Sequence, residues 1–389
     1  MRRAFSREYL YDKRSMAFLQ GAVDSIGYFI RRPSERILKK DAVRGILIAR
    51  IDHLGDVFIA SAILPHLKKT FPEARIDFLA GDWTHAYLKT NPLINGIIRY
   101  DAFKHNRRAG LAKRAIAGVL GYINAIRKLR AASYDLCINL RTYPFNASTL
   151  VYLGGCKYSM GFATGGFGFL LDTVIPYRER VHESAHLGDA LAAIGVEARE
   201  RDLTPRFTLS SEAGHKADET LESAGIAGGE RFALFHTGAG TPVKYWRRPA
   251  WEETAKRLRE ECGLKVVAQD PVYGGINGCI ALPALVSFDV YAAIARRAAL
   301  FIGLDSFPAH LAASFGTPTV VIWCGVNDPV RWRPLGGRVA IVNKETDCSP
   351  CFKKRGCADM TCMEISAAEC VGAAAGLLDK VKSIGMEGD

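Results

Sequence analysis

Leu300-Phe-Ile-Gly-Leu-Asp-Ser-Phe-Pro-Ala-His-Leu-Ala-Ala-Ser-Phe-Gly-Thr-Pro318 is the stretch on which the reading of this chain turns. An apolar run over residues 300–304 meets Asp305 and Ser306, residue types that cap helices, and Pro308 stands where an early helical turn accepts proline. Small and apolar residues continue until Gly316 and Pro318 stop the helix, and Thr319 to Trp323 reads as another buried strand. The pattern is strand, tight turn, helix, strand. It points a helix N-terminus out of the carboxyl edge of a parallel sheet, where backbone amides and the helix dipole favour phosphate. A capped helix with His310 as a core histidine fits the same residues, so the choice falls to the rest of the chain.

At 389 residues, 49% hydrophobic and 24% charged, the chain is long enough for two domains with full cores. The formal charge is +12, and residues 1–44 hold eleven Lys or Arg against five acids, half of that surplus. This leader lacks a signal peptide's features, because Gln20 and Asp24 interrupt its apolar stretch. No uncharged run is long enough to span a bilayer, so a cytoplasmic location is expected. The ten cysteines suit that compartment as thiols or metal ligands better than as a disulfide framework.

Within the leader, Phe5, Leu10, Phe18, Leu19, Val23, Ile26, Phe29 and Ile30 recur at roughly helical spacing among basic residues. The segment reads either as a basic amphipathic helix on an anionic membrane surface or as an extension packed on the flank of its own domain. A similar pattern returns over residues 104–130, where Lys104, Arg107, Arg108, Lys113, Arg114, Arg127, Lys128 and Arg130 flank Leu111, Ile116, Val119, Leu120, Ile123 and Ile126. Its apolar face is expected on a sheet, with the cations left for acidic lipid or substrate.

From Gly45 the chain alternates strand and helix. Gly45 to Arg50 is a strand, Gly55 breaks it, and a helix runs from Val57 to Thr70 before a strand at Ile76 to Ala80. Further elements are predicted as a helix over 83–89, a strand over 96–100, a helix over 111–131 and a strand over 134–140. Residues 152–176 read as loops and short strands lining a cleft, followed by a helix over 183–194 with His182 and His186 taken as surface polar residues. Thr204-Pro205 is the expected joint. A second run follows: helix 211–224, strand 231–236, helix 249–262, strand 264–268, a strand near 279–282, helix 288–297 and then the opening stretch. The expected segments are a leader over 1–44, a first Rossmann-like domain over 45–205, a second over 206–363, and a terminal helix over 364–389 that crosses back to the first domain in some arrangements of this kind. Two such α/β halves facing across a cleft are the predicted architecture.

Asp56, just past the first strand, is placed to take a proton from an acceptor hydroxyl, although capping the following helix is the more ordinary use of Asp after Gly. Asp52 and His53 are rivals for that role, and His53 alternatively orients the acceptor. In the loop His236-Thr-Gly-Ala-Gly-Thr-Pro-Val-Lys-Tyr-Trp246, Gly238 and Gly240 let backbone amides approach a ligand, and Lys244 adds a charge suited to phosphate. Cys348, Cys351, Cys357 and Cys362 form a cluster read first as a local structural element and second as a structural zinc site.

These residues together resemble glycosyltransferase family nine, the lipopolysaccharide heptosyltransferases. The family's Asp-Thr-Gly-x-x-His-Leu-Ala-Ala is matched by Asp305, Ser306, Phe307, His310, Leu311, Ala312 and Ala313, with Phe307 in place of the glycine. Its opening strand, Arg, Gly-Asp-Val, proline-containing helix and second strand are matched by Arg50, Gly55, Asp56, Val57, Pro65 and residues 76–80. Lys244 and Trp246 match a third motif, in which Thr237 and Arg247 replace prolines. The resemblance runs from Gly45 to Val371. It implies a glycosyltransferase-B fold and an inverting sugar transferase in which Asp56 is the general base, with Arg50, Asp52 and His53 on the acceptor side. On the donor side, Lys244, Gly238, Gly240, Asp305, Ser306, Phe307 and His310 meet a nucleotide sugar of the ADP-heptose type without a catalytic metal or other cofactor. Asp305 either binds sugar hydroxyls or fixes the turn; His310 either reaches phosphate or packs. The implied acceptor is a lipopolysaccharide-type glycolipid at the inner face of the inner membrane; peripheral attachment to anionic lipid is expected from the leader's basic amphipathic pattern, and no nucleic-acid partner is expected. The alternatives are a nucleotide-sugar epimerase of the same architecture and a non-catalytic nucleotide-sugar or glycan binder.

Overall fold

The computed structural model describes residues 9–10, 14–31, 36–101, 111–142, 147–283, 286–353 and 355–386, with the side chains of 111–115 and 380–386 outside the description. The chain divides into two units, Met1–Pro205 and Arg206–Asp389.

The first unit runs α1 (Arg14–Ile30), β1 (Gly45–Ala49), α2 (Leu54–Ala60), α3 (Leu64–Thr70), β2 (Arg75–Ala80), α4 (His85–Leu88), β3 (Gly96–Arg99), α5 (Leu111–Ala132), β4 (Leu136–Asn139), α6 (Ser148–Leu153), β5 (Tyr158–Phe162), β6 (Thr173–Ile175) and α7 (Glu183–Ala193). The strands are all parallel, in the order β3-β2-β1-β4-β5-β6. Central strand β1, Gly-Ile-Leu-Ile-Ala, is buried at every position, as a strand covered on both faces must be. Ile46 lies opposite Ile76 on one side and Leu136 on the other.

The second unit continues with α8 (Ser211–Ser223), β7 (Phe232–His236), α9 (Arg248–Cys262), β8 (Lys265–Gln269), β9 (Ile280–Ala281), α10 (Phe288–Arg297), β10 (Leu300–Leu304), α11 (Phe307–Ser314), β11 (Thr319–Trp323), α12 (Pro329–Trp332), β12 (Val339–Asn343) and α13 (Ala367–Met386). Its parallel sheet is ordered β12-β11-β10-β7-β8-β9. Each sheet therefore has the 3-2-1-4-5-6 order of a doubly wound nucleotide-binding fold. Trp246 and Trp251 sit at the centre of this core with ring centroids 5.1 Å apart, and Trp246 Nε1 donates to the Ile365 carbonyl at 2.9 Å. That bond satisfies a polar group that burial would otherwise penalise. The terminal helix, α13, packs on α9, β11 and β12 of its own unit.

Several expectations are corrected here. The leader's helix is inverted relative to a soluble amphipathic helix: Gln20, Asp24 and Gly27 are buried while Phe18, Leu19, Ile26, Phe29 and Ile30 face out. Among the described side chains of α5, Ala125 and Leu129 are buried in the sheet's core and Tyr122, Ile126 and Ala132 pack against it, while Ile116, Val119, Leu120 and Ile123 are exposed. Phe5, the first basic residues of the leader and Lys104, Arg107 and Arg108 lie outside the described residues, as do the side chains of Leu111, Lys113 and Arg114. Cys137 and Cys156 form a disulfide with Cα atoms 6.2 Å apart, against the expectation of thiols or metal ligands. The pairing of β4 with β5 brings them into reach. Among the described residues, no helix is long and apolar enough to cross a membrane.

Candidate functional site

In each sheet the strand order reverses beside the first strand, between β1 and β4 and between β7 and β10, and the loops beyond the carboxyl ends of those strands diverge there. The sequence-predicted residues fall at these two points. Arg50, Asp52 and Asp56 follow β1, His236 and Gly238 close or follow β7, and Asp305 and Ser306 follow β10.

In the first unit Asp56 is in the opening turn of α2, where its Oδ2 accepts the His53 backbone N–H at 3.0 Å. The helix-capping reading of Asp56 is thus correct, and it leaves Oδ1 for other contacts. Arg50 Nη2 lies 3.5 Å from Oδ1 and 3.2 Å from Glu183 Oε2, while Arg50 Nε lies 3.1 Å from Asp52 Oδ2. Arg50 also donates to the Leu140 carbonyl, and Arg141 donates to Asp52 and to the Ile51 carbonyl. This cluster holds three carboxylates, Asp52, Asp56 and Glu183, against two guanidinium groups. Asp52 has both as close partners and is buried, which suits it to holding the loop. Asp56 is the more exposed of the three, at 13% for its side chain against 6% and 4%. Its pKa is raised, chiefly by burial; Arg50 opposes the shift, and the neighbouring Asp52 and Glu183 reinforce it. His53, the other rival, is exposed at the N-terminus of α2.

Sequence reasoning missed Glu183 and misplaced His182 and His186. All three are buried. His182 caps α7 by accepting the Ser184 N–H at 3.1 Å. His186 Nε2 meets the Arg178 carbonyl at 2.9 Å, its ring stacks on Tyr177 at 4.6 Å, and its Nδ1 is 3.5 Å from Glu183 Oε1. With Nε2 donating to a carbonyl, Nδ1 faces the carboxylate. Arg50, Asp56, Glu183 and His186 line one small pocket with Ile59, Leu140 and Phe162. The signal for Glu183 was its place at a helix N-terminus, where a carboxylate is favoured; nothing local in the sequence linked it to Arg50.

In the second unit Lys244 Nζ is 2.6 Å from Asp305 Oδ2 and donates to the Asp305 carbonyl at 3.0 Å. Asn327 Nδ2 donates to the same Oδ2 at 2.7 Å. Lys244 is therefore anchored at the β10–α11 turn. Ser306 precedes α11, but its hydroxyl makes no helix cap; it bonds the Gly238 and Leu304 carbonyls at 3.2 and 3.3 Å. The first turn of α11 thus receives no hydroxyl cap from Ser306. Gly238 has a steric reason to be glycine, since a Cβ there would stand 2.6 Å from Pro271 Cγ, whereas Gly240 borders open space. Phe307 stacks on Phe288 at 5.4 Å, and Phe288 continues to Phe207 at 5.5 Å, so the residue in the family's glycine position extends an aromatic row. His310 is buried on α11.

His236 ends β7. Its Nδ1 is 3.1 Å from the Tyr291 hydroxyl, and burial lowers its pKa to about 4 against a weaker opposing effect from Asp270. Asp270 is occupied by Thr237 and by the backbone amides of Val272, Tyr273 and Gly275.

The cysteine cluster does not gather. Cys348 and Cys357 are exposed, Cys351 is half-buried, and Cys362 turns into the core beside Cys324. Among the described residues no group of three or more His, Cys, Asp or Glu could hold a metal, so the zinc expectation is withdrawn in favour of a local structural element.

Residues 123–360 match the family model described as Glycosyltransferase family 9 (heptosyltransferase). The chain is 26% identical over 297 residues to Lipopolysaccharide heptosyltransferase 3 of Escherichia coli, covering 72% of this chain and 83% of that one. A solved glycosyl transferase family 9 structure from Veillonella parvula superposes with a TM-score of 0.70 at 22% identity, covering 87% of this chain and 97% of that one. The E. coli heptosyltransferase WaaC with ADP superposes with a TM-score of 0.59 at 15% identity, covering 76% and 92%.

Proposed function

The chain belongs to glycosyltransferase family 9, and from that membership we propose that it transfers heptose, with inversion, from ADP-heptose to a lipopolysaccharide-type glycolipid. Each unit supplies part of the chemistry. Asp56 takes the proton of the acceptor hydroxyl, and a carboxylate whose pKa is raised toward the working pH is a stronger base than an ordinary aspartate. Arg50 and Glu183 hold Asp56 in position and set its charge environment, while His53 faces the acceptor. As the anomeric bond breaks, charge builds on the departing diphosphate. Lys244, held at the turn by Asp305, and the opening amides of α11 stabilise that charge, a role that a divalent ion fills in other transferases. Attack on the face of the anomeric carbon opposite the departing diphosphate inverts that centre. The glycolipid acceptor sets the reaction at the cytoplasmic face of a membrane, with the chain attached peripherally.

The observation that carries this reading is Asp56: a partly exposed carboxylate with a raised pKa at the switch point of the first sheet. A panel of nucleotides and nucleotide sugars tests the donor. ADP and ADP-heptose are expected to raise the melting temperature, since a ligand that binds only the folded state stabilises it. Stabilisation by uridine or guanosine nucleotides with none by adenosine nucleotides would refute the proposed donor.

A further inference from the structure

Helix α1 is packed the wrong way round for a soluble protein. Its single acid, Asp24, is fully buried: Tyr9 donates to Oδ2 at 2.9 Å, and Gln20 and the Phe167 backbone N–H each donate to Oδ1 at 2.9 Å. Gly27 lies against the Phe169 ring so closely that a Cβ would stand 2.4 Å from it. Polar and small residues thus dock the helix on the first unit. The opposite side presents Phe18 at 82% exposure, Phe29 at 87% and Ile30 at 76%, with Leu19 and Ile26 also out.

The exposed apolar face does not stop at α1. Arg31, just past its end, places its guanidinium 4.6 Å over the Tyr152 ring, and Arg130 of α5 donates to the Leu153 carbonyl at 2.8 Å. Tyr152 and Leu153 are themselves exposed and so bridge α1 to α5, whose Ile116, Val119 and Leu120 face out. Soluble monomers rarely leave contiguous apolar surface of this kind uncovered. The two helices carry six basic residues, Arg14, Lys113, Arg114, Arg127, Lys128 and Arg130, against one acid, the buried Asp24. A second copy of the chain would bring like charges together. An anionic bilayer would accept the apolar side chains and attract the arginines and lysines.

We infer that the outward faces of α1 and α5 are a membrane foot: the apolar side chains enter the acyl boundary of an anionic bilayer and the flanking cations meet its headgroups. This deepens the reading of a lipid-borne acceptor proposed above and rests on it for its purpose, while its physical ground is the packing of α1.

Sedimentation of the full chain with vesicles of phosphatidylethanolamine and phosphatidylglycerol, beside phosphatidylcholine alone, tests the foot. Wild type is expected to sediment with the anionic vesicles. The Phe18→Asp, Phe29→Asp variant should lose at least about tenfold in partitioning, because each aromatic forfeits its transfer from water. Both side chains face solvent, so melting temperature and ADP binding should be unchanged, as should transfer to a detergent-dispersed acceptor. Phe29→Trp should show an emission blue shift with anionic vesicles only. Wild type remaining in the supernatant would overturn the inference. So would a dimer in sedimentation velocity that the double aspartate variant converts to monomer without any vesicle binding. Neither result bears on the transferase reading, which fails only if the detergent-dispersed acceptor is not glycosylated.

Discussion

Asp56 has two occupations that sequence reasoning treated as competitors. One carboxylate oxygen caps α2 through the His53 N–H, and the other lies near Arg50. The cap fixes the side chain's direction, which a general base requires. Asp56→Asn retains the shape and the capping acceptor but removes basicity, so turnover should fall by roughly 10²- to 10⁴-fold with nucleotide affinity unchanged. The acid limb of kcat/KM measures the same group. The base must be ionised, so activity should fall as pH drops through an Asp56 pKa held above the ordinary 3.8 by burial. At the proposed donor site, Lys244→Met removes the cation anchored by Asp305 and should weaken ADP binding about ten- to hundredfold by calorimetry, the scale of a charge-assisted hydrogen bond. His236 gives a stability prediction. Its folded pKa of about 4 lies below the ordinary 6.5, so the unfolded chain binds the extra proton between those limits. Stability should therefore be full above pH 6.5 and fall as pH drops toward 4. After discounting for the ring's partial exposure the loss is about 1 to 2 kcal/mol, and His236→Gln should flatten that part of the urea-denaturation profile.

At the scale of elements, what was legible in the sequence tracks what is local. The strand-turn-helix units β1–α2 and β10–α11 were readable because an unbroken apolar run, a Gly or Asp-Ser turn and a helix-starting residue follow one another within a few positions. Edge strands were less legible. Strand β12, Val-Ala-Ile-Val-Asn, is only partly buried and β6 has three residues, so neither carries the apolar run that marks a central strand. Glu183 escaped because its partner, Arg50, is 133 residues away, and His186 because its burial comes from Tyr177 and Phe162 and not from its own neighbours in sequence. The helix-cap chemistry expected of Ser306 failed for a similar reason: its hydroxyl bonds the carbonyl of Gly238 on a distant loop. Gly238 carries a prediction at this scale. Gly238→Ala must displace Pro271, and with it the loop tied to Ser306, so ADP affinity should fall while the melting temperature changes little. The leader's hydrophobic periodicity was visible, but its direction was not, since only the Asp24 contacts reveal which face turns in.

For the whole molecule, two sheets of identical 3-2-1-4-5-6 order explain why the candidate residues fall at equivalent places in the two halves. In the proposed reaction the first unit contributes the base and the second the turn that meets the diphosphate. The fold class and the division near Pro205 could be read from alternating elements, because a parallel sheet demands a crossover between strands. The composition of the Asp56 cluster could not, because it depends on the close approach of the loops after β1 and β4 to the start of α7. The most direct test of the account is the mass of the product formed from ADP-heptose and a heptose-acceptor core glycolipid by wild type and by Asp56→Asn. The account predicts that wild type releases ADP only when the acceptor is present and adds one heptose to it, while the variant binds ADP-heptose and leaves the acceptor unchanged. Equal product from the variant, or conversion of ADP-heptose into an isomer with no acceptor present, would contradict it.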